Sequence, residues 1–547
     1  MKLRVILEQF SISDINNCIG DEIKIYINSI NKYNFFSYVE KNINQLLDLE
    51  SFVVTLIKNA SKLYDVSQLL NKINFVNHLT TKNSKKQLLD FLEVKSISRK
   101  KTTMDFAEPI VPKRFYELLD YQYLIKEQVI NYINDNIKKN RHLNRLLIHM
   151  PTGTGKTKTS MHTIINLYLK YDNFGSIIWL AHTDELLRQA YTAFLAVWQV
   201  LGNRKIKISF NNIDSVEKSN CIYFMSYQKI ISLYKNAEDL FTDLRDNLTI
   251  CVCDEAHKVL APETFKAVES LMISFDSSHP KTLIGLTATP GRKYQESEVY
   301  GDNIALAEMF NKNIFSININ DLDIFHSSKN NTIDKNSYID VVEKDTEIIS
   351  YFQNRGVLAK IERIPLTYEN NNIEINKIFT KIRTNDYTQK ELKKIGEYTE
   401  RNNVIIEQLM LLNRANIPTI VFACTNEQGR LISDVLTLTG IKNNCVFGDT
   451  SDSLRKQYLN DFEDGKYNIL INNAILTTGF DSPRIKCVFI TRPTNSIVLY
   501  SQMLGRGLRG KMMGGNEKCY LVDVMDNLSK FQNENFAFNY FDAYWRR

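Results

Sequence analysis

Proline is missing from the first 105 residues, and Gly20 is the only glycine among them. A stretch so short of turn formers is unsuited to hairpins and suits helices. No C-x-x-C spacing occurs among the eight cysteines, which excludes a zinc ribbon and a thioredoxin-type site. The one close pair, Cys251 and Cys253, falls on one face of an apolar strand, and two thiols without further ligands hold no metal. The cysteines read as reduced, buried thiols. No apolar run approaches the roughly 18 residues of a membrane-spanning helix, and Glu8 arrives too early for a signal-peptide core. The expected location is the cytoplasm. Charge of either sign is nearly balanced: net +6, with a pI of about 8.6, permits a nucleic-acid partner without requiring one. No internal repeat appears at solenoid periods.

At 547 residues the chain is too long for one core, and roughly three to four units are expected. Residues 1–105 carry apolar sets at helical spacing. These are Leu46, Leu47, Val53, Val54, Leu56 and Ile57, then Leu63, Val66, Leu69, Leu70 and Ile73, and they suit a small helical accessory domain. Lys82, Lys85, Lys86, Lys95, Arg99, Lys100 and Lys101 form a basic stretch there. Two readings stay open for it, a nucleic-acid contact or a solvated helix and linker. Two α/β domains are expected, 106–365 with a trailing connector and 366–530: short apolar runs alternate with helical patterns from Pro109 to about 290 and again after 400, the signature of parallel sheets covered on both faces, while 293–400 between them is rich in Asn, Asp and Lys. Strands are expected at 146–149, 176–181, 206–210, 221–225, 249–253 and 282–286, and again at 419–423, 444–447, 468–472, 487–491 and 518–523. Ligands should then bind at the carboxyl ends of these strands. Ser327–Asn336 is expected to be an exposed loop, and 531–547 an aromatic, cationic tail.

The richest chemistry lies in Met150-Pro151-Thr152-Gly153-Thr154-Gly155-Lys156-Thr157, set between an apolar strand and an amphipathic helix. Gly153 and Gly155 let backbone N–H groups approach phosphate oxygens, Lys156 adds a point charge, and Thr157 offers a hydroxyl to Mg²⁺. Met150 stands where the usual phosphate-loop pattern has its first glycine. About a hundred residues on, an apolar strand ends in Asp254-Glu255-Ala256-His257. Asp254 would hold the metal, and Glu255 would orient or deprotonate an attacking water. ATP and Mg²⁺ are the cofactors expected.

These segments, taken with others in order between residues 115 and 510, resemble the motifs of superfamily 2 helicases and translocases of the DEAH type. Tyr121-Gln122 looks like the adenine-reading glutamine motif. Leu180-Ala181-His182-Thr183-Asp184-Glu185 and Met225-Ser226-Tyr227-Gln228 resemble the strand-touching motifs of the first domain. Leu286-Thr287-Ala288-Thr289-Pro290 looks like the motif that links hydrolysis to movement. Val421-Phe422-Ala423-Cys424-Thr425, Leu476-Thr477-Thr478-Gly479-Phe480-Asp481 and Gln502-Met503-Leu504-Gly505-Arg506-Gly507-Leu508-Arg509 continue the series. The resemblance implies an α/β fold of two RecA-like parallel-sheet domains in tandem, preceded by a small helical N-terminal domain. Gln122, Gly479 and Asp481 would join the phosphate loop at the nucleotide, while His257, Thr287, Thr289 and Gln502 would couple hydrolysis to motion. A DEAD tetrad and a His-Arg-Ile-Gly-Arg segment are absent. The wording is instead similar to the branch holding restriction-enzyme motor subunits and DNA-repair helicases, which implies double-stranded DNA as the track.

Charge building on a γ-phosphate calls for a cation that arrives on domain closure, and Arg506 and Arg509 supply guanidinium groups. Read as helix, they stand one turn apart and share a face, with Arg509 on the γ-phosphate. Thr183, Ser226, Gln228, Thr425 and Thr478 are donors suited to sequence-independent contacts with backbone phosphates. Helix capping is the competing use for the Ser and Thr residues. No PD-(D/E)xK or H-N-H cluster lies outside the motor segments. The function expected is an ATP-dependent helicase or translocase. The alternative is a nucleotide-gated module of a multi-protein defence or repair complex, recruiting a protein partner through the helical front or the aromatic tail.

Overall fold

The computed structural model describes residues 2–94, 118–291, 300–322, 348–477 and 480–524, with short breaks at 28–29, 68, 71–81, 140, 171–174, 214, 218–219, 274–279, 319–320, 370–371, 382–385 and 481. Ile73, Lys95, Arg99, Lys100, Lys101, the 327–336 loop, Thr478, Gly479, Asp481 and the 531–547 tail lie outside the described residues.

Two parallel sheets organise the chain. The first holds β1 (Leu143–His149), β2 (Ser176–Ala181), β3 (Lys207–Phe210), β4 (Cys221–Ser226), β5 (Leu248–Asp254), β6 (Lys281–Thr287) and β7 (Ile314–Ser316), in the order β3-β4-β2-β5-β6-β1-β7. The second holds β8 (Lys360–Leu366), β9 (Thr419–Phe422), β10 (Asn443–Val446), β11 (Ile469–Asn472), β12 (Cys487–Ile490) and β13 (Lys518–Val524), in the order β10-β11-β9-β12-β13-β8. Every residue of β2, β5 and β6 is buried, as strands covered on both faces require, which is why their centres read as apolar on both faces and do not alternate with polar residues. The eleven expected strands are all present within a residue or three. Two of the four edge strands, β7 and β8, were not expected. β7 is three residues long, and β8 alternates charged with apolar residues and contains Pro365, as edge strands do. Because β8 belongs to the second sheet, the boundary expected at 365/366 falls inside a strand and moves ahead of Lys360.

The helical front end is built from Lys2–Glu8, Ile12–Asn17, Asp21–Lys24, Lys32–Leu46, Glu50–Ala60 and Lys82–Phe91. Phe10 packs against Phe35 and Phe52 at its centre, with ring centroids 5.9 and 6.4 Å apart. Val54 and Leu63, two of the apolar positions read from the periodicity, are exposed instead. Lys85 pairs with Asp48 inside this unit, so at that position the basic stretch serves the fold.

Although it opens the chain, this unit docks on the second α/β domain, against the helix Asn426–Leu438, and shares one apolar cluster with it. Polar contacts lock the joint. The Lys41 ammonium donates to Ser433 Oγ and, at 2.9 Å, to Asn443 Oδ1, while Asn42 Nδ2 donates to Asp434 Oδ1 at 2.8 Å. Asn34 Nδ2 reaches the carbonyl of Leu438 at 3.0 Å, satisfying one of that helix's last acceptors. Burial raises the Asp434 carboxyl to about 6, against the pull of Lys41.

All eight cysteines are free thiols, seven of them buried. Among the described residues, no helix is long and apolar enough to cross a membrane.

Candidate nucleotide site and strand-end loops

The carboxyl end of β1 runs into the phosphate loop, and Gly153 and Gly155 take φ of +87° and +82°, the left-handed region that glycine enters without a Cβ penalty. They open the loop at the N-terminus of the helix Lys156–Lys170, where unpaired N–H groups and the helix dipole favour phosphate. Met150, in the first glycine position, is fully buried in the core, and its N–H donates to the carbonyl of Thr287 at 3.2 Å. That position supports the loop from below, so it has no need of a glycine. A second support comes from Tyr121 and Gln122. Tyr121 Oη and Gln122 Nε2 both donate to the carbonyl of Thr154, at 2.8 and 2.9 Å, while Gln122 Oε1 accepts from the N–H of Leu119. A Cβ on Gly155 would meet Gln122 Nε2 at 2.4 Å, so the carboxamide lies directly on the loop with both its ends engaged by the protein.

Asp254 ends β5 almost wholly buried, and Glu255 follows in the left-handed region at φ +52°, ψ +57°. For a residue with a Cβ this conformation costs roughly 1–2 kcal/mol. It turns the chain out of the strand, where an extended continuation would put the two neighbouring carboxylates on opposite faces of the sheet. The N–H of Glu255 donates to Asp254 Oδ1 at 3.0 Å. Burial raises the Asp254 carboxyl, with Lys156 opposing and Glu255 reinforcing the shift. Burial also pushes Glu255 upward, but Lys156, His257, His182 and Arg506 together outweigh it and hold that carboxyl below its usual range. His257 Nδ1 lies 3.5 Å from Glu255 Oε2, and burial pushes His257 down to about 4, leaving a neutral ring. Lys156, Asp254, Glu255 and Arg506 thus share one electrostatic pocket although Arg506 comes from the other domain.

The 287–290 segment is tied to this pocket by short contacts. Thr287 Oγ1 donates to the carbonyl of Thr289 at 2.8 Å and accepts from its N–H at 3.0 Å. His149, at the end of β1, contacts the carbonyl of Ala288 through Nε2 at 3.2 Å, and burial pushes its pKa down to about 3. The sequence marked no role for His149; its only signal is a polar residue closing an apolar strand.

Arg506 and Arg509 do not share a helix face. The helix Ile497–Leu504 stops at Leu504, and Arg509 lies in an isolated antiparallel bridge with Leu358. Three glycines explain the departure, each at a point of close approach. A Cβ on Gly505 would meet Thr152 Cγ2 at 2.5 Å, one on Gly507 would meet Cys519 Sγ at 2.3 Å, and one on Gly510 the carbonyl oxygen of Gly356 at 2.2 Å. The chain leaves the helix to lie against the phosphate loop. Gly153 in turn faces the side chain of Leu358 and the backbone N of Arg509, 3.4 and 3.7 Å from its would-be Cβ. The Arg506 guanidinium donates to the carbonyls of Phe480 and Gln502, and Gln502 itself is buried.

Thr183, Ser226 and Thr425, the hydroxyls expected at the track, are helix caps. Thr183 Oγ1 accepts from the N–H of Leu186, Ser226 Oγ from that of Lys229, and Thr425 Oγ1 from that of Gln428, at 3.3, 3.1 and 3.2 Å. Capping uses an oxygen lone pair and leaves the O–H proton to donate, so each can cap and still bind a phosphate. Gln228 is exposed beside Ser226. Across the cleft, Arg455 pairs with Glu185 at 2.5 Å and joins the rims of the two domains.

The chain is similar to known proteins over about three quarters of its length. The model for "Type III restriction enzyme, res subunit" matches residues 115–292, and that for "Helicase conserved C-terminal domain" matches 400–511. A Saccharomyces cerevisiae protein named "Putative ATP-dependent helicase IRC3" is 25% identical over 425 residues, covering 76% of this chain and 52% of its own length. The type I restriction enzyme EcoAI endonuclease subunit of Escherichia coli is 25% identical over 410 residues, 72% of this chain and 45% of that protein. The chain spans about half the length of these two curated relatives. Among solved structures, a fragment of an HsdR subunit of a type I restriction enzyme from Vibrio vulnificus superposes with a TM-score of 0.50 at 21% identity, over 76% of this chain and 66% of that one, which speaks for the fold.

Proposed function

We propose that this chain, a superfamily 2 helicase related to the motor subunits of restriction enzymes, is a nucleic-acid-dependent ATPase that translocates on double-stranded DNA. One observation carries the reading: Arg506 acts electrostatically on Glu255 while Gly505 abuts Thr152, so groups from both domains converge on one phosphate loop. A pocket divided in this way works only when the domains close, and that makes hydrolysis a movement.

In this reading the backbone of 151–157 and Lys156 bind the β- and γ-phosphates, and Gly479 and Asp481 join them in binding the nucleotide. Thr157 and Asp254 would hold Mg²⁺, whose charge would offset that of the triphosphate and return Asp254 to its ionised form. The buried, rising carboxylate beside Lys156 fits such an ion. Glu255 stays ionised, orients a water toward the γ-phosphorus and takes its proton as the bond to the leaving diphosphate breaks. Arg509, with Arg506 beside it, neutralises charge on the transferring group. His257, Thr287, Thr289 and Gln502 carry the change of state to the domain faces. Gln122 braces the loop from outside. Thr183, Ser226, Gln228, Thr425 and Thr478 grip backbone phosphates without reading bases.

The test is the ATPase rate of the purified chain with no polymer, duplex DNA, single-stranded DNA or RNA. Stimulation greatest with duplex DNA is expected. A rate indifferent to every polymer would overturn the motor reading in favour of a nucleotide-gated interaction module.

A further inference from the structure

Three loops of the first domain stand in a row at the carboxyl end of its sheet: 183–184 after β2, 226–228 at the end of β4, and 254–255 at the end of β5. Side chains join them. Asn211 Nδ2 donates to Asp184 Oδ1 at 3.0 Å, and Asn211 Oδ1 accepts from the N–H of Ser226 at 2.9 Å. Asn211 sits at φ +51°, in the left-handed region that asparagine tolerates better than most residues. The next link is longer. In the sheet β2 lies between β4 and β5, so a group following β4 must reach past the end of β2 to touch β5. Tyr227 does so, and its buried hydroxyl donates to the carbonyl of Asp254 at 2.9 Å.

That carbonyl belongs to the peptide plane joining Asp254 to Glu255, and the N–H of the same plane donates to Asp254 Oδ1. A peptide is rigid, so holding its oxygen and its N–H sets its tilt. The tilt in turn sets ψ of Asp254 and φ of Glu255, the angles that separate the two carboxylates. Tyr227 therefore grips the backbone hinge between the expected metal ligand and the water-orienting group. At its other side it is covalently flanked by Ser226 and Gln228, two of the residues assigned to the track.

We propose that Tyr227, braced through Asn211, is the positioning residue through which polymer held at Thr183, Ser226 and Gln228 acts on Asp254 and Glu255. This rests on the reading of the chain as a polymer-dependent ATPase and specifies how the polymer regulates its site. A phosphate drawn onto Ser226 moves the first turn of the helix Tyr227–Asn236, and the tyrosine hydroxyl transmits that shift to the Asp254–Glu255 peptide. Without polymer the hinge rests in one setting and hydrolysis is slow.

Tyr227→Phe keeps the ring and removes the one hydroxyl. The unstimulated ATPase rate should stay within about twofold of the parent, KM for ATP and the half-stimulating DNA concentration should be unchanged, and DNA-stimulated kcat should fall about tenfold, a factor typical of coupling between sites. Asn211→Gly keeps the positive φ and removes both side-chain bonds, so it should give the same loss. The double variant should be no worse than either single one, because both break one chain. Full stimulation in Tyr227→Phe would overturn the proposal, as would an equal fall in the stimulated and unstimulated rates, which is what mere support of Asp254 produces. If the parent protein itself ignores duplex DNA, single-stranded DNA and RNA alike, the underlying motor reading fails and this proposal fails with it, a result distinct from the other two.

Discussion

The two α/β domains share a parallel-sheet plan but use their strand ends differently. In the first, hydrogen bonds run between the ends of different strands: Met150 to Thr287, His149 to Ala288, Tyr227 to Asp254. In the second, they turn inward. Gln428 Oε1 accepts from the N–H of Cys424, Gln428 Nε2 donates to Asn402, and Arg401, fully buried, donates to the carbonyl of Thr491. The outer helix of the second domain is occupied by the N-terminal unit. One sheet builds a pocket whose parts touch and can signal to one another. The other builds a stiff carrier that presents Gly505 to Arg509 to that pocket.

The largest effect that separates the two roles is expected from Arg509→Ala. It should lower kcat about a thousandfold or more while leaving nucleotide affinity within a few-fold, whereas Lys156→Ala should lose nucleotide binding itself. Comparing ATP binding with turnover in the two variants checks this, and a lost affinity in Arg509→Ala would break the division. Next comes the contact between the domains. Gly505→Ala places a methyl against Thr152, an overpacking of about 1–3 kcal/mol, or roughly 5- to 150-fold in turnover. Adding Thr152→Gly should restore much of the rate.

Smaller effects address the carrier. Lys41→Met leaves Asp434, Ser433 and Asn443 without their cation and should cost about 2 kcal/mol, seen as a lower urea midpoint at unchanged slope. A single transition covering the helical unit and the second domain together is expected; two separate transitions would show that the unit rides loosely. The least effect is pH-dependent and belongs to the pocket. His149 and His257 have folded pKa values pushed to about 3 and about 4, below the usual 6.5. The unfolded chain then binds more protons than the folded one as pH falls below 6.5. Their stabilisation is complete above that pH and is lost progressively toward pH 4 and below, by about 1 kcal/mol per histidine at pH 5.5. His149→Asn should flatten the stability profile between pH 6.5 and 4, measured by thermal melts.

Much of this was legible along the chain. β2 was read to the residue, because a strand buried on both faces leaves an unbroken apolar run. The phosphate loop and Asp254-Glu255 were legible because their chemistry depends on residue type at close spacing. β7 and β8 were not, since β7 is only three residues long and β8 breaks its apolar run with Glu362, Arg363 and Pro365. Thr183, Ser226 and Thr425 were readable as caps or as contacts, and the geometry gives them a lone pair for the first use and a proton for the second. Arg506 and Arg509 were misread as helical neighbours because Gly505 stops the helix only where Thr152 comes close. Gly479, Asp481 and Thr478 rest on sequence alone.

By itself the sequence determined the two parallel-sheet units and which candidate groups each offers, since periodicity and short spacing are local properties that neighbouring residues carry with them. Tertiary structure alone decided the rest. It seats the front of the chain on the second domain through Lys41 and Ser433, 392 positions apart. It also sets Glu255 in a left-handed turn under the hand of Tyr227, and it lays Gly505 on Thr152. Each of these depends on packing between segments far apart in the chain, and no local pattern encodes which distant surface a residue will meet.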